Sequence, residues 1–105
     1  MPGLSRLQAV FQTLGDANRL KIIEFLGEEE RSVSEMVTAM GLSQPLVSHH
    51  LRVLRGVGIV ESQREGPFVY YRIKDRRLLM ALKMFSEIFA LKWQEKADVS
   101  SCRPP

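Results

Sequence analysis

The chain carries one cysteine in 105 residues, so no internal disulfide framework and no cysteine-cluster metal site can form within it. Histidine is almost as scarce: two residues, side by side at His49 and His50. No apolar run is long enough to span a bilayer. The longest, LLMALKMFSEIFALKW, is interrupted by Lys83, Glu87 and Lys92. The opening MPGLSRLQAV lacks the charged-then-apolar order of a signal peptide. No nucleophile–base pair, phosphate-cradling glycine loop or pair of carboxylates stands out, and there is no internal repeat or low-complexity segment. These absences argue against a disulfide-stapled, secreted or membrane protein and against an enzyme. The expectation is a cytoplasmic, non-catalytic protein with no cofactor and no metal.

By length the chain is one domain, and 45% apolar with 26% charged residues is ordinary for a globular one. Small domains bury a low fraction of their surface and often gain from oligomerisation. The net charge of +3 is unevenly spread. Residues 41–77 hold seven Lys and Arg against three Asp and Glu, whereas residues 1–40 hold four against six. A polyanion would dock on the middle of the chain, although a solvated basic face gives the same count.

Helical periodicity begins with Leu4, Leu7, Phe11 and Leu14. Gly15 breaks it, and Asp16 is placed to cap a second helix whose apolar positions are Leu20, Ile23 and Leu26. Ser32 and Glu35 offer a capping box to a short third helix bearing Val33, Met36, Val37 and Met40. Gly41 and Leu42 alone separate it from Ser43, the cap of a fourth helix running from about Gln44 to Arg55, with Pro45 tolerated in the first turn. A short helix, a tight glycine turn and a longer helix make a helix-turn-helix. Two β-rich runs, residues 59–64 and 68–73, flank Glu65-Gly66-Pro67 as a hairpin. A last helix is expected over roughly Arg76 to Lys96. The fold class is therefore mainly α with a β-hairpin wing, in the order α-α-α-α-β-β-α: a winged helix-turn-helix over residues 1–97, with a C-terminal tail at 98–105.

On a wheel of about 100° per residue, the fourth helix separates its two histidines. Val47, Leu51, Leu54 and Val57 make an apolar side that includes His50, while Gln44, Ser48, Arg52 and Arg55 fall on the opposite arc, with Pro45 and His49 at its edge. Successive residues diverge too far to chelate one ion, so a histidine metal site is disfavoured. His50 reads as a core residue with one nitrogen bonded to backbone, and His49 as the outward one. Gln44 and Ser48 lie near the helix N-terminus, where base edges are met in helix-turn-helix proteins. Arg52 and Arg55 suit phosphates, and Ser43 can offer the helix end to another. Arg64 at the wing tip, with Arg72 and Lys74, adds positive charge. A solvent-facing amphipathic helix would look similar if it stood alone. Following a helix-turn signal and preceding a wing, it reads as a DNA contact.

LGDANRLKIIEFL, MGLSQPLVSHHLRVLRGVGIVESQREG and VYYRIKD occur in order at spacings that resemble the ArsR/SmtB family of bacterial winged-helix repressors, from Leu14 to about Lys74. The resemblance implies a homodimer on an inverted-repeat operator, released by a signal, with Gln44, Ser48 and His49 reading bases. Two departures stand out. Metal-sensing members carry E-L-C-V-C-D-L in the third helix, whereas Ser32 and Ser34 occupy both cysteine positions here, and hydroxyls are poor ligands for soft ions. Residues 76–97 contain no His or Cys to stand in for the C-terminal ligands of other members. Pro67 also stands where the family's wing would carry Arg or Lys.

The last helix is apolar nearly all round, through Leu78, Leu82, Phe85 and Phe89 widened by Met80, Met84, Ile88, Leu91 and Trp93. Such a helix must bury two sides. One covers its own core. The other, with the first helix, is expected to form a two-fold interface through Leu4, Leu7, Phe11, Leu82, Phe85, Phe89 and Trp93. Cys102 could serve as a redox handle or an intermolecular disulfide, although an incidental tail cysteine is the plainer reading. The expected function is a dimeric, sequence-specific repressor binding double-stranded operator DNA, with no membrane partner and an unidentified effector. The alternatives are a metal- or redox-responsive regulator acting through Cys102, and a winged-helix protein-interaction module that binds no DNA.

Overall fold

A computed structural model describes residues 3–93. The elements are α1 (Leu4–Leu14), α2 (Ala17–Leu26), β1 (Arg31–Ser32), α3 (Val33–Met40), α4 (Gln44–Gly56), β2 (Val60–Glu65), β3 (Phe68–Ile73) and α5 (Arg77–Ile88). The expected caps are in place. Asp16 Oδ1 accepts the Arg19 N–H at 3.1 Å, and Ser43 Oγ accepts that of Leu46 at 3.3 Å. At α3 the box is reciprocal: Ser32 Oγ accepts from the Glu35 N–H at 3.1 Å while Glu35 Oε1 accepts from the Ser32 N–H at 2.8 Å. Gly41 ends α3 at φ 68°, a left-handed conformation that glycine adopts without a Cβ penalty, and this sets the sharp turn into α4.

β2 and β3 pair antiparallel from Val60↔Ile73 to Glu65↔Phe68, leaving a two-residue connection. Gly66 lies at φ 62° and Pro67 is held near its fixed negative φ, the combination of a type II′ hairpin turn. The sheet has a third strand besides the expected hairpin. Arg31 and Ser32 pair with Tyr71 and Tyr70, so the sheet order is β1-β3-β2. Two residues are too few to show alternation, and their strongest local signal was the helix cap that Ser32 also provides.

The core lies where α2, α3 and α4 meet the inner face of the sheet. Ile22, Ile23, Leu26, Met36, Val47, Leu51 and Leu54 are fully buried, and Val60, Tyr71 and Ile73 close the sheet side. From α5, Leu79 enters this core, with Leu78 and Leu82 packed beside it.

The last helix is shorter than expected: it ends at Ile88 rather than near Lys96. Ala90 turns left-handed at φ 56°, the Ala90 N–H donates to the Glu87 carbonyl at 3.0 Å, and the Leu91 N–H donates to that of Ser86 at 2.9 Å. Those paired bonds are a Schellman closure, which uses up the carbonyls that would have continued the helix. The helical periodicity carries on past this point because Phe89, Leu91 and Trp93 are apolar, and apolarity does not report φ. The 98–105 tail, Cys102 included, lies outside the described residues.

Candidate nucleic-acid interface

Ser43 stands exposed at the N-terminus of α4, and Gln44 and Pro45 fill its first turn, where proline costs no hydrogen bond. The wheel phasing holds. Val47, His50, Leu51 and Leu54 are buried, whereas Gln44, His49, Arg52 and Arg55 are exposed and Ser48 is half-buried.

The polar arc of α4 does not face open solvent on every side. Across from it runs the hairpin, and between them lies a groove of about 430 Å³. Gln44, Ser48, Arg52 and Arg55 line one wall, and Ser62, Arg64, Pro67 and Phe68 line the other. Sheet alternation explains the second wall: Ser62 opposite Tyr71 and Arg64 opposite Val69 share the face turned toward α4. The Arg55 Nη1 donates to Ser62 Oγ at 3.1 Å and ties the end of α4 to the wing. Among the described residues, Arg52 and Arg64 make no ion pair, so their guanidinium groups are free for an external anion. Three arginines, two hydroxyls and one amide thus converge on a groove open to solvent.

Arg72 is placed elsewhere. It belongs to the outer face of the sheet, where its Nε donates to Glu61 Oε2 at 2.7 Å. Ser43, Pro45 and His49 also lie outside the groove wall, on the exposed flank of α4. The serine at 62 was missed in the sequence although it alternates with Arg64, since a short hydroxyl side chain carries no distinctive pattern.

The buried histidine has an unexpected partner. His50 Nδ1 lies 3.3 Å from Nη1 of Arg19, whose Nε donates to the Thr13 carbonyl at 2.7 Å. Side-chain contact replaces the expected backbone bond. Arginine has no acceptor, so Nδ1 must accept, and the imidazole proton sits on Nε2. Burial chiefly holds the His50 pKa below the usual 6.5; the Asp16 carboxylate pulls the other way, and the Arg19 guanidinium and the neighbouring His49 ring add to the lowering. The Asp16 pKa is itself lowered, mainly by the Arg19 N–H.

The Ser32 hydroxyl that stands at a metal-sensor cysteine position is committed to capping α3, and α5 offers neither His nor Cys. The donor set does not fit a soft metal ion. Among the described residues, no group of three or more His, Cys, Asp or Glu could hold a metal.

Leu4, Leu7 and Phe11 on α1 are more than half exposed, as are Phe85 and Phe89, which meet edge-to-face at 5.2 Å between centroids. Met80, Met84, Ile88 and Leu91 extend this apolar surface. Leu82 and Trp93 are instead partly buried against the chain's own core.

Comparison with known proteins matches residues 16–62 to the family model described as bacterial regulatory protein, arsR family. An HTH-type transcriptional regulator of Methanocaldococcus jannaschii is 34% identical over 80 residues, covering 75% of this chain and 90% of that one. The chain belongs to the ArsR family. A second relative, the HTH-type transcriptional repressor SmtB of Mycobacterium tuberculosis, is 43% identical over 60 residues, which are 57% of this chain and 44% of that repressor. Among solved structures, the homodimeric winged helix-turn-helix DNA-binding domain of Mycobacterium bovis is 31% identical with a TM-score of 0.75, over 82% of each chain. The fold and family are thus those of a DNA-binding transcriptional regulator and not of an enzyme. No described helix of this ArsR-family chain is long and apolar enough to cross a membrane.

Proposed function

We propose that the chain is a cytoplasmic repressor that binds an inverted-repeat operator as a homodimer and is released by a signal. One observation carries the DNA reading: Gln44, Ser48, Arg52, Arg55 and Arg64 converge on a single groove between α4 and the wing. In this reading the α4 N-terminus enters the major groove. Gln44 and Ser48 meet base edges there, His49 reaches them from the flank, and Ser43 and Pro45 set the helix end against a phosphate. Arg52 and Arg55 neutralise phosphates, and Arg64 reaches the backbone or minor groove from the wing. Arg72, held by Glu61 on the other sheet face, contributes long-range charge rather than a groove contact.

The exposed apolar faces of α1 and α5 favour pairing with a second copy, through Leu4, Leu7, Phe11, Phe85 and Phe89. Leu82 and Trp93 support these faces from beneath. Two α4 helices related by a two-fold axis would then address successive major grooves. An effector would act by changing the angle between them.

Selection from randomised duplexes tests the whole reading. The expected product is an inverted repeat, bound with an affinity that falls steeply with salt. Combined Arg52→Ala and Arg64→Ala substitutions should abolish binding. Retention of wild-type affinity by that double variant would sink the groove as the DNA site.

A further inference from the structure

We propose that the wing tip contacts DNA through an apolar ridge, Pro67 and Phe68, which packs on deoxyribose edges in the minor groove next to the Arg64 contact. The inference rests on the DNA reading above and adds a kind of contact to it. Pro67 occupies one of the two turn positions, and Phe68 begins the returning strand, so both stand at the far end of the hairpin. Both also border the groove that Gln44, Arg52 and Arg64 line.

Tyr71, on the inner face of the sheet, is 6% exposed, whereas Phe68, opposite Glu65 on the outer face at the tip, is 48% exposed. Its ring neighbour is Tyr70, tilted at 6.4 Å between centroids, which steadies the phenyl ring and leaves half of it uncovered. Wing packing therefore does not account for an aromatic residue at this position. Charge does not account for the tip either. Arg64 is followed by Glu65, which lies directly opposite Phe68, and no cation stands between Glu65 and the far side of the turn. Beyond Arg64 the turn offers phosphate no cation, so a contact made by the turn itself must draw on another source.

The walls of a minor groove are sugar C–H edges, which an apolar side chain can cover without releasing counterions. A rigid turn suits that role. Proline's fixed φ and the two-residue connection hold the ridge at one height relative to α4, and the Arg55–Ser62 bond fixes the base of the same hairpin.

The experiment measures the affinity of the full chain for a duplex recovered by selection, across a salt series, for wild type, Phe68→Ala, Phe68→Leu and Arg64→Ala. Phe68→Ala should weaken binding about tenfold, with the slope of log affinity against log salt unchanged, because only apolar area is lost. Phe68→Leu, which keeps most of that area, should stay within about threefold of wild type. Arg64→Ala should reduce the slope by about 0.9, one phosphate's worth of counterions. Thermal melts should place all three variants close to wild type. Wild-type affinity in Phe68→Ala, a slope change matching that of Arg64→Ala, or a Leu variant as weak as the Ala variant would each overturn the ridge while leaving the operator reading intact. Failure of the wild-type protein to bind any selected duplex would overturn both.

Discussion

His50 lies on the helix that presents Gln44 and Ser48, yet its ring is 5% exposed and faces Arg19. Adding a proton would set a cation against the Arg19 guanidinium inside the core, while the unfolded chain takes that proton near pH 6.5. Its stabilising contribution is thus complete above pH 6.5 and is lost as pH falls toward the lower folded value. Urea midpoints should drop between pH 7.5 and 5.5, and a His50→Gln variant should lose most of that pH dependence. His50→Ala should cost about 2 kcal/mol in a denaturation experiment. His49→Ala should change stability by no more than ~0.5 kcal/mol and weaken operator binding in a mobility-shift titration. The opposite pattern would mean that α4 is rotated from the phase described above. The burial of His50 was legible in the sequence, because helical phase alone separates neighbours by about 100°. Its partner was not, since Arg19 belongs to another helix and nothing local links the two positions.

At the scale of elements, the caps were legible and the terminations less so. Asp16, Ser32 and Ser43 each hydrogen-bond within three residues, so a short window of sequence contains the whole interaction. The end of α5 depends on a backbone angle at Ala90 that no residue type nearby announces. A left-handed alanine is disfavoured by its Cβ, and Ala90→Gly should raise stability by about 0.5–1 kcal/mol, read as an increase in Tm. Ser32→Ala should cost about 1 kcal/mol by removing one half of the capping box, measured by the same melt. If that substitution were neutral, the box would contribute nothing to α3.

For the whole molecule, the apolar stripes on α1 and α5 were legible as helical faces, and only the structure separates the inward residues from the outward ones. Leu78, Leu79 and Leu82 go to the core, while Phe85 and Phe89 remain outside. A charge on the outward set should therefore disrupt association without unfolding the chain. Phe85→Glu is expected to sediment as a monomer and to lose operator affinity, and wild type should show a Tm that rises with protein concentration. A concentration-independent Tm would contradict pairing through this face. The two-residue strand β1 carries a further consequence, for the order in which the molecule opens. It pairs the segment just before α3 with the middle of β3, so the two flanks of the helix-turn-helix are fastened together. Unfastening the hairpin thus removes a partner from the segment that caps α3, and the wing cannot fray as an independent flap. In native-state hydrogen exchange, the amides of Tyr70 and Tyr71 should exchange with the same free energy as those at the start of α3, as one cooperative unit.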